Sequence, residues 1–398
     1  MKIAGFVLAL FASMSVAVAQ QAGGPADLDA EQLAEMERRA QFEAGFKAIV
    51  DDINRGSFAS FNAAINRQDM LERIFGLRLI DQRVKQSFSE DFESSLPNMI
   101  ERMFIVAKDH EAKAHLLGFD SRGFLGRATV RYDLPDFQYT YHEYDLRMTE
   151  AGKIYIADWT DFLRGEGFSD SIGETLIAAA PSKQAVRKLI DLPRVSDSQV
   201  FQVTELLKAV RDRKVDRFVE IWGNLGDDLK AQRITVLSHV HLMKDTRNRR
   251  KLRTALIEMA KFFPKEPAYS LMLLDYYFPS RRYQEAFDAL KRLESRLGVE
   301  DSAMQARLSA ASLVLRNTDD AAAYAARAVE MEPGLELGWW SLARASAVNS
   351  DFDTAVRALT ELEDQFGYDL GPEALGKDPL FAQVVRSAAY EEWSASRQ

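Results

Sequence analysis

The chain of 398 residues contains no cysteine. That absence removes disulfides, thiolate metal sites, cysteine nucleophiles and dithiol redox motifs. It also removes the lipoprotein route to the bacterial envelope, which needs a cysteine directly after the cleavage site. Beyond the first twenty positions, no stretch reaches the ~18 consecutive apolar residues of a membrane-spanning helix. A basic surplus is missing as well: 51 Lys and Arg stand against 60 Asp and Glu, giving a net charge of -9 and a pI near 5.3. Nucleic acid and anionic membranes want a basic face, so both are disfavoured as main partners. The sequence has no serine nucleophile elbow, no H-E-x-x-H and no glycine-rich phosphate loop, so neither catalysis nor a metal or other cofactor is expected.

What is present is ordinary soluble composition, 47% apolar and 28% charged, in a chain long enough for two or three domains. The first nineteen residues have the form of a secretory signal. Lys2 is the positive start, 3–16 is a short apolar run, and Ala17-Val18-Ala19 is a small-x-small site before Gln20. With the missing cysteines, this pattern predicts export to the periplasm of a Gram-negative bacterium, or secretion beyond it, with no stable membrane insertion after cleavage.

Residues 20–39 are expected to be a flexible lead and the start of a helix. Leu33, Met36, Phe42, Phe46, Ile49, Val50 and Ile53 then recur at helical steps up to Arg55-Gly56. Further helices are predicted over 69–75 and 91–106, with Pro97 near the start of the second. After Val106 the period changes to 2. The stretches 114–119, 124–133, 137–148 and 154–162 read as strands joined by short turns, hence antiparallel neighbours. Helices first and a curved meander after them make an α+β domain over 40–168.

In that domain His142 and Tyr144 share one strand face, and the alternation places Asp158 on the face of Ile154 and Ile156. If both faces point inward, His142, Tyr144 and Asp158 form a pocket suited to ligand binding or proton transfer. The competing reading is a buried pair that satisfies itself. Asp109-His110-Glu111 reads as a solvated turn. His239 and His241 fall two apart on a helix and do not share a face, which is poor geometry for a metal. Five basic residues in seven, from Arg247 to Arg253, oppose the dipole at a helix start. They fit an acidic partner segment or a solvated face.

From Ser169 onward the sequence is helical. Between 267 and 370 one pattern returns three times: Leu273, Tyr277, Tyr283, Ala286, Leu290 and Leu293; then Leu308, Ala321, Ala325, Ala328 and Pro333; then Trp339, Leu342, Ala343, Phe352, Ala355, Leu359 and Leu362. Ala286, Ala321 and Ala355 stand 35 and 34 residues apart. Such a period marks stacked helix pairs. This stretch resembles the tetratricopeptide (TPR) repeat, whose aromatic, small and proline positions Trp339, Ala355 and Pro333 match in part; Ser346 and Gly367 depart from it. Irregular pairs are expected over 169–266 and a capping helix over 371–398. Residues 40–165 resemble the cone-shaped NTF2-like or SnoaL-like fold in element order, with Asp158-Trp159 on the last strand.

The fold class expected is therefore multidomain, an NTF2-like α+β domain followed by an all-α, TPR-like superhelical solenoid. The TPR resemblance implies a non-enzymatic scaffold that holds another protein in a concave groove. Carried over, the groove positions are Ala268, Leu271, Asp275 and Phe278, then Ala303, Ala306, Ala310 and Leu313, then Leu337, Trp340, Arg344 and Ala347. The runner-up is a small-molecule binding protein or enzyme using the pocket of His142.

Overall fold

The computed structural model describes residues 30–76, 78–103 and 113–397. The signal residues Lys2, Ala17, Val18 and Ala19, the lead before Ala30 and Asp109-His110-Glu111 lie outside them. Helix α1 (Ala30–Asn54) buries Phe42, Phe46, Ile49, Val50 and Ile53, the stripe its period demands. Gly56, just past its end, holds a φ of 75°, and such backbone suits glycine. Helices α2 (Ala59–Ala64), α3 (Arg67–Phe75) and α4 (Gln82–Met103) follow. Pro97 corrects the sequence reading: it lies well inside α4, which begins at Gln82. An interior proline costs about 3 kcal/mol, yet Phe92, Leu96 and Ile100 are fully buried on that helix. Burying three such side chains outweighs it, at roughly 1.5–3 kcal/mol each.

Strands β1 (Ala114–Arg122), β2 (Leu125–Leu134), β3 (Gln138–Met148) and β4 (Ile154–Asp161), with the short β5 (Glu166–Gly167), form one antiparallel meander in sequence order. One face carries Val130, Tyr132, His142, Tyr144, Leu146 and Trp159; Phe46 and Phe61 from α1 and α2 pack on Tyr144, and Phe61 also on Trp159. The opposite face carries Arg131, Tyr139, Tyr141 and Glu143, all buried. It is covered by the helical half of the chain, so the sheet is the middle of three layers.

The helical half begins with α5 (Phe168–Ala179) and α6 (Lys183–Leu189). Next come α7 (Asp197–Arg211) and α8 (Val215–Asn224), the one-turn α9 (Asp227–Lys230), and then α10 (Arg233–Asp245) with α11 (Arg249–Phe262). Three further pairs follow: α12 (Ser270–Tyr277) with α13 (Tyr283–Leu297), α14 (Ser302–Val314) with α15 (Thr318–Met331), and α16 (Glu336–Val348) with α17 (Phe352–Phe366). The turn inside each of five pairs has one construction. A residue at positive φ stands at Arg213, Arg247, Arg281, Arg316 and Ser350, separations of 34, 34, 35 and 34. Each donates its backbone N–H to the carbonyl three residues earlier, closing the helix end. Ala286, Ala321 and Ala355 are fully buried, as expected where two helix backbones approach closely.

The C-terminal stretch departs from the single capping helix expected over 371–398. Short turns at Pro372–Leu375, Pro379–Phe381 and Val384–Arg386 precede the last helix (Ala388–Ala395). Ser387 opens that helix by accepting the Tyr390 N–H at 3.2 Å. Leu375, Phe381, Val384 and Tyr390 bury themselves with α16 and α17. The apolar core is continuous from Phe42 to Ala311, across sheet and helices. A second cluster takes over from Ala321 to Tyr390.

Candidate interaction surface

The face of the sheet formed by β2 and β3 is fixed to the helix pairs by a buried charge. Arg131 has no exposed surface. Its Nη1 donates to Asp301 at 2.5 Å and to Ser302 at 2.9 Å, its Nε to Asp133 at 2.7 Å, and its Nη2 to Glu332 at 2.9 Å. Burial works against the guanidinium's charge, but Asp301, Asp133 and Glu332 more than restore it and hold its pKa above the ordinary arginine value. Asp301 also caps α14 by accepting the Met304 N–H at 3.0 Å, and it takes the Tyr141 hydroxyl at 2.7 Å. Nearby, Arg296 grips Glu143 with two bonds of 2.7 Å. At Gly118 an added Cβ would stand 2.4 Å from Val299. The Val299 side chain, in the loop ahead of α14, would have to give way to any larger residue there.

None of Arg131, Asp301, Glu332, Glu143 or Arg296 was singled out from the sequence. The signal available was Tyr139 and Tyr141, two aromatics on a face that the alternation of β2 leaves polar.

The expected groove residues are dispersed. Leu271 is buried, Asp275 is exposed, and Phe278 and Leu313 are half-buried in different apolar clusters. Trp340 and Arg344 come together, with the guanidinium 5.3 Å from the ring centre. The chain's own end covers them: Tyr368 meets Trp340 edge-on at 5.1 Å, Phe381 lies at 6.3 Å, and Arg344 pairs with Asp378 at 3.5 Å. Ala303 and Ala306 are buried, Ala310 is exposed and Ala347 is buried.

Leu337 opens onto a cleft of about 570 Å³ between the β2–β3 hairpin and the starts of α14 and α16. Leu335, Phe366, Tyr368 and Tyr139 give it apolar walls, and His115, Asp133 and Glu332 a polar end. Phe137, at the hairpin, also lines it while 45% exposed.

The sheet's other face brings His142 and Tyr144 together and leaves Asp158 apart. His142 Nδ1 lies 3.0 Å from the Tyr144 hydroxyl, which is 2.7 Å from that of Tyr132. A register shift between Asp145 and Leu146 inserts an extra residue in β4, so Asp158 falls out of phase with Ile154 and Ile156. Its carboxylate accepts the backbone N–H of Ser169 at 3.1 Å, at the start of α5, together with that residue's hydroxyl. Asp161 stands opposite His142 instead, 3.7 Å from Nε2. Burial lowers the His142 pKa, partly opposed by Asp161, so the ring is neutral near pH 7. A cleft of about 320 Å³ reaches Trp159 and Asp161, but neither His142 nor Tyr144 lines it.

The His239 ring lies tilted against Trp222, their centres 4.2 Å apart, whereas His241 turns to Glu166 and the Arg164 carbonyl. They do not converge, and among the described residues no group of three acidic or histidine side chains is placed to hold a metal. Among the described residues no helix is long and apolar enough to cross a membrane. No protein-family model matches the sequence, and no curated protein matches it.

Proposed function

We propose that this chain is a non-enzymatic scaffold of the bacterial envelope, whose helical half is a TPR-like superhelical solenoid that holds another protein. The observation carrying this reading is the recurrence of one turn at separations of 34, 34, 35 and 34 residues, with buried alanines at the helix crossings of the last three pairs. Repeated pairs of this kind build extended surfaces for partners. The cleft beside Leu337 is where an apolar partner segment enters, with Phe137 as its exposed aromatic and Trp340 as the ring behind it. Anchors of this kind carry most of an interface's energy.

The NTF2-like reading of the N-terminal half, with a ligand in its cone, has weaker support. His142 is closed in by Tyr132 and Tyr144 and engaged by their hydroxyl chain. Export rests on the residues around Lys2 and Ala17-Val18-Ala19 alone.

The test is affinity capture of residues 20–398 from an envelope extract, beside Leu337→Ala, Trp340→Ala and His142→Ala. The scaffold predicts a protein retained by the wild type and by His142→Ala, and reduced at least fivefold by the other two. Retention that is lost only with His142→Ala moves the function to the cone.

A further inference from the structure

Four of the five turn residues at positive φ are arginines: Arg213, Arg247, Arg281 and Arg316. Left-handed backbone favours glycine or asparagine, and a long side chain there is strained. The helix-ending turn accounts for the backbone, since Ser350 adopts it as well, but it does not account for an arginine at four of the five positions. All four are exposed, and among the described residues none takes part in an ion pair, a side-chain hydrogen bond or a ring contact.

The neighbourhood strengthens the pattern. Arg249 and Arg250, on the first turn of α11, are likewise exposed and unpaired. Several nearby carboxylates are already engaged, Asp212 by Arg211 and Lys214, Asp216 by Lys251, and Glu285 by Arg282, while Asp245 near Arg247 is exposed and in no ion pair among the described residues. A row of exposed arginines with no ion-pair partner among the described residues therefore recurs from turn to turn in a chain whose net charge is -9. The row has an end, because the turn after Arg316 carries Asp319 and Asp320, and the next carries Ser350, Asp351 and Asp353.

We infer that this edge binds an extended acidic peptide segment that lies across successive turns. Where equivalent helices of neighbouring pairs pack directly, as α7 with α10 and α14 with α16, their turns step by roughly 10 Å. A polyproline II chain rises about 3.1 Å per residue with three residues per turn. One carboxylate at every third position then meets one arginine per helix pair, and about ten residues span the row. This edge is separate from the cleft at Leu337, and the two readings stand or fall independently.

The experiment measures fluorescence anisotropy of a labelled peptide of six Glu-Ala-Pro repeats with the protein, residues 20–398, over a salt series. Two competitors accompany it: a peptide of the same composition with its glutamates clustered at one end, and phosphatidylglycerol vesicles. The variant carries Arg213→Asn, Arg247→Asn, Arg281→Asn and Arg316→Asn, since asparagine accepts the turn backbone. The expected result is binding that weakens with salt, at least a tenfold loss in the variant with no fall in its melting temperature, and a weaker clustered peptide. Should the fourfold variant melt early, the pair Arg249→Gln and Arg250→Gln, on ordinary helical backbone, must weaken binding at least threefold. Trp340→Ala must leave peptide binding intact. Undetectable binding to the wild type, equal binding by the fourfold variant, equal affinity for the clustered peptide, or retention on vesicles alone would each overturn the inference.

Discussion

Glu174 is buried on α5, where it accepts a hydrogen bond from Arg233, with Glu166 and Asp170 close by. Burial pushes its carboxyl up to about 7, against the pull of Arg233. A pKa raised above the unfolded value means the folded chain holds this proton more tightly. The stability it confers is complete below about pH 4.5 and is lost as pH rises through about 7. We therefore expect Glu174→Gln to gain stability relative to wild type as pH rises from about 5 to about 8, read as a widening difference in denaturant midpoint; a constant difference refutes the raised pKa. Nothing in the sequence marks Glu174, because its environment comes from α10, nearly sixty positions away. Arg131 was hidden for a related reason. The alternation Arg127, Thr129, Arg131, Asp133 reads as a solvent face, and only the docking of a third layer makes it an interior.

At the scale of elements, the alanine at each crossing of the last three pairs is the sensitive point. Ala321 is fully buried, and Ser309 on α14 donates to its carbonyl at 2.8 Å. Ala321→Leu is expected to destabilise by about 1–3 kcal/mol through overpacking, measured by urea unfolding. A leucine at the exposed Ala326→Leu, one turn further along α15, is the control and should stay within about 0.5 kcal/mol. These elements were the most legible part of the chain. The stripe of α1 and the period-2 stretches of β1 to β4 placed the elements within a few residues, because both periods are direct consequences of backbone geometry. Two local events escaped: the bulge that turned Asp158 to the other face, and Pro97 inside α4. Each is decided by partners across the fold rather than by neighbours along the chain. The turn arginines carry the same spacing as the apolar positions, but a charged residue in a turn has no packing partner to mark it.

At the scale of the whole molecule, the sheet and the helices do not behave as beads on a string. Their apolar core is continuous from Phe42 to Ala311, and Arg131 closes the polar part of the seam. Arg131→Ala leaves Asp301 buried without its cation, which should cost about 3–5 kcal/mol and appear as a single cooperative transition at lower denaturant. Loss confined to one half, with the other unfolding unchanged, would show that the seam carries little.

The same guanidinium touches Asp301, ahead of α14, and Glu332, which follows α15. One side chain on a strand thus spans a complete helix pair, like a gauge set to one repeat. A unit duplicated between Asp301 and Glu332 would carry the second acid roughly 10 Å out of the gauge's reach. The number of helices between those two acids is therefore set by a single residue of the sheet.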